Sequence, residues 1–180
     1  MKPNRCTAAA RARTSGTGLY DPQVQIRTAT DDPTDVFHVA ELRLAFLADH
    51  REVHPASFDR ALTERTHAFV QEHQGSGMMH SWLASDQTSP EPIGVVSVLR
   101  YPAPPRPDDT GLYDGYIINM YVRPSHRSLG IGRQLLMTLM ASTNELNIRH
   151  WLLHFTDDGR VLYESLGFRP DPRYLMLPAS

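Results

Sequence analysis

Between Tyr116 and Leu146 the chain sets a strand, a glycine turn and a helix in direct succession. Tyr116-Ile117-Ile118-Asn119-Met120-Tyr121-Val122 is rich in aromatic and β-branched residues, as a strand requires. Leu135, Leu136, Leu139, Met140, Thr143 and Leu146 recur at the spacing of one helix face. The link between them is Arg127-Ser128-Leu129-Gly130-Ile131-Gly132. A glycine turn that opens a helix straight after a strand presents free backbone N–H groups and the positive end of a helix dipole. That arrangement holds a phosphate or pyrophosphate. The segment therefore predicts an anionic cofactor gripped by backbone, with Arg127 adding positive charge.

Three phosphate-binding patterns compete for this turn. A P-loop closes on Gly-Lys-Ser/Thr, whereas Gly132 is followed by Arg133-Gln134. A dinucleotide fingerprint needs a small residue where Leu135 stands and an acidic residue after a second strand, and nothing downstream fits that pattern cleanly. Arg/Gln-x-x-Gly-x-Gly/Ala is met by Arg127, Gly130 and Gly132. A bare turn before a helix is the plain alternative. Further on stands Leu162-Tyr163-Glu164-Ser165-Leu166-Gly167-Phe168. With both motifs at this spacing, the chain resembles the GNAT superfamily of N-acetyltransferases over about Gly115 to Arg169. The earlier chain fits that family only by pattern. Ser128 stands where many members carry glycine, and it keeps the amide while adding a hydroxyl. Leu129 replaces a residue that is often basic or polar, and the lost charge is expected to weaken nucleotide affinity modestly.

The resemblance implies an α/β (α+β) fold: a mixed, mostly antiparallel central sheet flanked by helices, with splayed central strands. It implies acetyl-CoA as co-substrate. The backbone of Met120, Tyr121 and Val122 would hold the pantetheine arm and the oxyanion, and Arg127, Ser128, Leu129, Gly130, Ile131, Gly132 and Arg133 the phosphates. Thr156 replaces the family's usual asparagine, seven residues ahead of the motif tyrosine. Acetyl transfer needs a neutral amine, a stabilised oxyanion and an acid for the departing thiolate. Tyr163 takes the acid's place, since a phenol with a pKa of about 10 matches a thiolate in basicity. His154 is the candidate base, with an intrinsic pKa suited to the task. Asn119 is a candidate for orienting water or substrate, and Asp114 and Glu41 are outer candidates.

Composition narrows the partners. A net charge of -2 without a basic helix face argues against nucleic acid. No apolar run reaches membrane length, and the basic N-terminus lacks the apolar core of a secretory signal, so a cytoplasmic protein is expected. The single cysteine, Cys6, leaves no internal disulfide, and the scattered histidines show no metal spacing, so no metal is expected.

Residues 1–20 read as a disordered tail and 21–180 as one domain. Within it the patterns give a strand at Gln23–Arg27, a helix from Pro33 to about His50 with Val36, Ala40, Leu44 and Leu47 inward, and a second helix capped by Ser57. Strands at His80–Ala84 and Ile93–Tyr101 follow, then a loop from Pro102 to Gly115 and the central strand. The cofactor helix, a strand at His150–Phe155, a helix over about Asp158–Leu166 and strand-like residues to Leu177 complete the order β-α-α-β-β-β-α-β-α-β. Homodimerisation through the last strands is a further expectation. The expected activity is acetyl-CoA-dependent N-acetylation of a small-molecule amine: an amino acid, a polyamine-like metabolite or an aminated natural product. A protein amino group, another acyl donor, or a degenerate acyl-CoA-sensing module stay open as alternatives.

Overall fold

The computed structural model describes residues 24–49, 59–87, 89–105, 107 and 111–172. The alternating start forms β1 (Gln25–Thr28), and Pro33 opens α1 (Pro33–Asp49), with Asp32 Oδ1 accepting from the Thr34 amide at 2.8 Å. The second helix, α2 (Arg60–Gly75), is capped by Asp59, whose Oδ1 accepts from the Leu62 amide at 2.7 Å. Ser57, the expected cap, lies outside the described residues. Then come β2 (Met79–Ser85), β3 (Gly94–Pro102) and β4 (Tyr113–Val122). After a short 3-10 turn at Pro124–His126 follow α3 (Ile131–Ala141), β5 (Ile148–Leu153) and α4 (Asp157–Ser165). The described order is β-α-α-β-β-β-α-β-α. Most of the strand-like run to Leu177 lies outside the described residues, as do Cys6 and the N-terminal 20.

The strands lie in one sheet in chain order, antiparallel from β1 to β4, with β5 parallel to β4. This is the mixed, mostly antiparallel sheet flanked by helices that the motifs imply. Two apolar cores cover its faces. Val36, Val39, Ala40 and Leu42 of α1 and Val70 of α2 pack with Leu83, Val95 and Tyr121 on one face. Ile131, Leu135, Leu136 and Leu139 of α3 and Tyr163 of α4 pack with Trp82, Val96, Val98 and Ile117 on the other. Each fully buried large apolar side chain contributes about 1.5–3 kcal/mol. The inner face of α1 is rotated from the expected line: Leu44 and Leu47 are only half-buried, because α1 packs against α2 as well as the sheet. The predicted Pro102–Gly115 loop is shorter, since Tyr113 to Gly115 extend β4 by pairing with β3.

Two irregularities in β4 shape what lies around it. Its ladder with β5 ends at Ile117 opposite Leu153, which leaves Ile118 to Val122 without a strand neighbour on that edge among the described residues. On the other edge, Val95 pairs with Tyr121 but Ser97 with Ile118, so β4 carries one extra residue across from Val96. Asn119 takes up the bulge at φ 54°. The bulge changes the alternation. Ile117, Met120 and Val122 pack on the α3 side, whereas Ile118 and Tyr121 pack on the α1 side. Asn119 joins the α1 side, its Nδ2 donating to Ser97 Oγ at 3.4 Å.

The first turn of α1 is tied to β1 by Asp35, which is 5% exposed. It accepts from Arg27 at 2.6 and 2.8 Å, from the Thr30 amide at 2.8 Å and from the Thr30 hydroxyl at 3.0 Å. The Arg27 bonds, helped by those from Thr30, hold this carboxyl well below the usual carboxylate range in spite of its burial. Its stabilisation is complete above the unfolded value of about 4 and is lost as pH falls toward the lower folded value. Asp35→Asn is therefore expected to lower the urea midpoint at pH 7 and to flatten the loss of stability below pH 4. Parallel acid profiles for the two proteins would count against this role.

Candidate active site

The turn before α3 adopts a conformation that few side chains tolerate. Ser128 sits at φ 65° and Gly130 at φ 78°, both left-handed. For Ser128 that conformation costs about 1–2 kcal/mol, a cost glycine does not incur. The result is a run of amides that all lack acceptors. From Ser128 through Arg133 no backbone N–H donates to any group among the described residues, and internal helix bonding resumes only when Gln134 donates to the Gly130 carbonyl at 3.1 Å. Six donors and the positive end of α3 are thus gathered at one exposed turn. Gly132 lets α3 approach β4, since a Cβ there would lie 3.1 Å from Met120 Cε and 3.5 Å from Leu162 Cδ2.

The two arginines flanking the turn are already engaged. Arg127 Nε donates to the Val122 carbonyl at 3.0 Å, and its NH2 pairs with Asp49 at 2.7 Å. Tyr121 donates its hydroxyl to the same Asp49 oxygen at 3.0 Å, beneath the Arg127 guanidinium. Arg127 therefore ties the turn to the end of α1, while Arg133 donates to Ser165 Oγ at 2.9 Å on α4. Leu129 is exposed at the tip.

Tyr163 is 7% exposed, with its ring edge-on to Phe168. It forms no hydrogen bond among the described residues, and burial pushes its phenol up to about 12. Thr156 is the cap residue of α4, yet its exposed side chain makes no capping bond. Met120 and Val122 lie on the α3 side of the open β4 edge. Asn119 is buried, with no donor for its Oδ1 among the described residues.

His154 lies one residue past β5 and is exposed. Its Nδ1 is hydrogen-bonded to the Tyr116 hydroxyl, with the two rings edge to face. The structure thus brings Tyr116, His154 and the β4–β5 opening together. Asp114 and Glu41 stand elsewhere. Burial works to raise Asp114, but bonds from Arg149 and His150 prevail and hold it below its ordinary range. Glu41 pairs with His67 at 3.0 Å across α1 and α2. Sequence reasoning missed Arg43, Asp49 and Tyr116. Arg43 had a signal, a lone charge within the apolar run Leu42-Arg43-Leu44-Ala45-Phe46-Leu47. Asp49 had none. Among the described residues no three His, Cys, Asp or Glu gather as metal ligands, and no helix is long and apolar enough to cross a membrane.

Fold and site define an α/β domain that presents a turn of acceptor-free amides beside the point where its parallel ladder ends. Residues 78–170 match the family model described as an acetyltransferase (GNAT) domain. The chain belongs to the GNAT acetyltransferase family and is an acyltransferase. Its fold is similar to that of a predicted acetyltransferase from Clostridium acetobutylicum, solved with acetyl-CoA. The TM-score is 0.74 at 23% identity, over 86% of this chain and 96% of that one. It is also similar to a GCN5-related N-acetyltransferase from Ralstonia eutropha JMP134, with a TM-score of 0.72 at 25% identity over 87% and 99%. A glucosamine-6-phosphate N-acetyltransferase from Arabidopsis thaliana gives 0.63 at 17% identity over 87% and 99%.

The cradle is tested by a charge placed on it. Asp and Asn both tolerate left-handed backbone, so Gly130→Asp and Gly130→Asn share their strain and differ in charge. Calorimetry with acetyl-CoA is expected to show binding lost in the Asp variant and largely kept in the Asn variant. Equal affinity in the two folded variants would remove the phosphates from this turn.

Proposed function

We propose that this protein transfers the acetyl group of acetyl-CoA directly to the primary amine of a small molecule. The observation that carries the reading is the run of unpaired amides from Ser128 to Arg133, set beside the open edge of β4 and a buried, protonated Tyr163. Those amides and the α3 dipole fit a diphosphate, and the edge of β4 at Met120 and Val122, where Arg127 occupies the Val122 carbonyl, fits an amide-bearing arm that lies along it as a strand does. When bound, acetyl-CoA supplies the acetyl thioester; the protein supplies position and protons.

Tyr163 holds the proton for the departing sulfur. Its raised pKa keeps that proton in place throughout the neutral range, and its lack of a competing hydrogen bond leaves the hydroxyl free to donate. His154 serves the amine. In the tautomer that donates Nδ1–H to the Tyr116 oxygen, Nε2 carries the lone pair that accepts a proton, directly or through water. Thr156 offers its hydroxyl to the arm, and Asn119 offers a buried acceptor near the acyl position.

Incubation of the protein and acetyl-CoA with a broad amine panel, read as thiol release and product mass, tests this directly. Amine-dependent thiol release is expected. Tight acetyl-CoA binding without turnover across the panel would favour a sensing module. Tyr163→Phe is expected to lower kcat on the order of 100-fold while leaving acetyl-CoA affinity unchanged. Because the phenol keeps its proton below about 12, the kcat profile should show no alkaline fall between about pH 8 and 10 that depends on Tyr163. A limb there that vanishes in the Phe variant would contradict the burial of this group.

A further inference from the structure

Among the described residues, most half-buried arginines have an answering group. Arg123 pairs with Glu91 and Arg149 with Asp114. Arg100 donates to the Gly77 carbonyl and lies over the Tyr113 ring. Arg43 differs. It sits on α1 between buried Leu42 and half-buried Leu44, and no carboxylate, carbonyl or hydroxyl accepts from it among the described residues. Its neighbours are the Phe46 ring, 5.4 Å from its guanidinium carbon, and the phenol of Tyr116, close enough for the two to interact electrostatically. Its guanidinium nitrogens are not sealed off, since none is among the buried atoms that lack a partner. A half-desolvated, permanently charged fork of donors open to solvent has an unmet demand for an anion.

The location decides which anion matters. Tyr116 pairs with Leu152 one step before the β4–β5 ladder ends, and its hydroxyl meets His154. Arg43 therefore lies beside that opening with the candidate base, on the sheet face opposite α3 and Tyr163. On the acetyl-transfer reading above, the thioester reaches the opening from the α3 side, and the acceptor amine comes from the side of Arg43.

We propose that Arg43 binds an oxyanion carried by the acceptor, a carboxylate or a phosphate monoester, and so selects anionic amines over neutral or cationic ones. Carboxylates and phosphates each present two oxygens that match the guanidinium fork with two parallel hydrogen bonds, which a hydroxyl or an ammonium group does not. Burial already weakens the hold of Arg43 on its charge, and an arriving anion relieves that penalty. The inference rests on the acetyl-transfer reading and narrows it: amino acids and amino-sugar phosphates fit, and polyamines are disfavoured.

The test uses paired acceptors that differ in one group: amino acids against their carboxamides, and glucosamine 6-phosphate against glucosamine, each with acetyl-CoA. The wild type is expected to favour the anionic member of at least one pair by about 10- to 100-fold in kcat/KM, the scale of a lost hydrogen bond to a charged group. The carboxylate and phosphate arms tell the two sources apart. Arg43→Gln should raise KM for the anionic member by a similar factor, leave kcat and the neutral member little changed, and keep acetyl-CoA affinity. Binding of the acetylated products to the coenzyme A complex, read by calorimetry, gives the same contrast without turnover. Equal preference within every pair, or a preference that survives Arg43→Gln, overturns the assignment. Loss of turnover with every amine, with the binding contrast intact, removes the acetyl-transfer reading and keeps the anion site.

Discussion

The parallel ladder between β4 and β5 stops at Ile117 and Leu153, and the arrangement of this protein follows from that stop. Continued pairing would close the upper half of β4 against β5, the last strand of the described sheet, and separate the two helical layers there. Past that stop, Ile118 to Tyr121 have no strand neighbour on this edge among the described residues and Val122 offers its carbonyl to Arg127, next to a set of amides ahead of α3 that lack acceptors. Unsatisfied backbone groups in a folded domain are costly unless water or a ligand meets them. Here both sets lie at one place, which is the physical content of a site built from main chain more than from side chains.

Charge is distributed accordingly. The turn gathers partial positive charge from amides and a helix end, and Arg127 is turned onto Asp49 and Val122. Its local role is to brace the loop against α1 and Tyr121. Among the described residues Arg43, half-buried on the opposite face, is left without an acceptor. The two faces thus differ in kind: one offers fixed backbone dipoles, the other a side-chain guanidinium. Tyr163 lies on the α3 side, in an apolar layer that disfavours its phenolate.

Much of the fold was legible because it rests on local chemistry. Pro33 after Asp32 marks a helix start, Gly130 and Gly132 mark the turn, and the Leu135-Leu136-Leu139 face marks a buried helix. What escaped was decided at a distance. The inner face of α1 depends on its contact with α2, which no periodicity within α1 reveals. The extra residue in β4 is invisible in Ile118-Asn119-Met120, which reads as plain alternation until β3 is set beside it. Asp49 carries no pattern of its own and gains meaning only where Arg127 and Tyr121 converge on it. Tyr116 reads as one more aromatic of a strand until His154 is found across the opening. The motif residues were visible because backbone geometry demands their types, and the others were hidden because partners far along the chain define them.

The bulge at Asn119 has a consequence for how this strand tolerates change. With that residue taken out, Ile117, Ile118, Met120 and Tyr121 alternate without a break, and each keeps the face it already occupies. Both apolar layers would stay filled while the kink disappeared. Core filling and strand shape are therefore separable at a single position: the straightened strand would satisfy the core and forfeit the bend beside the candidate site. A library that scores variants by melting temperature alone would reward that shortening.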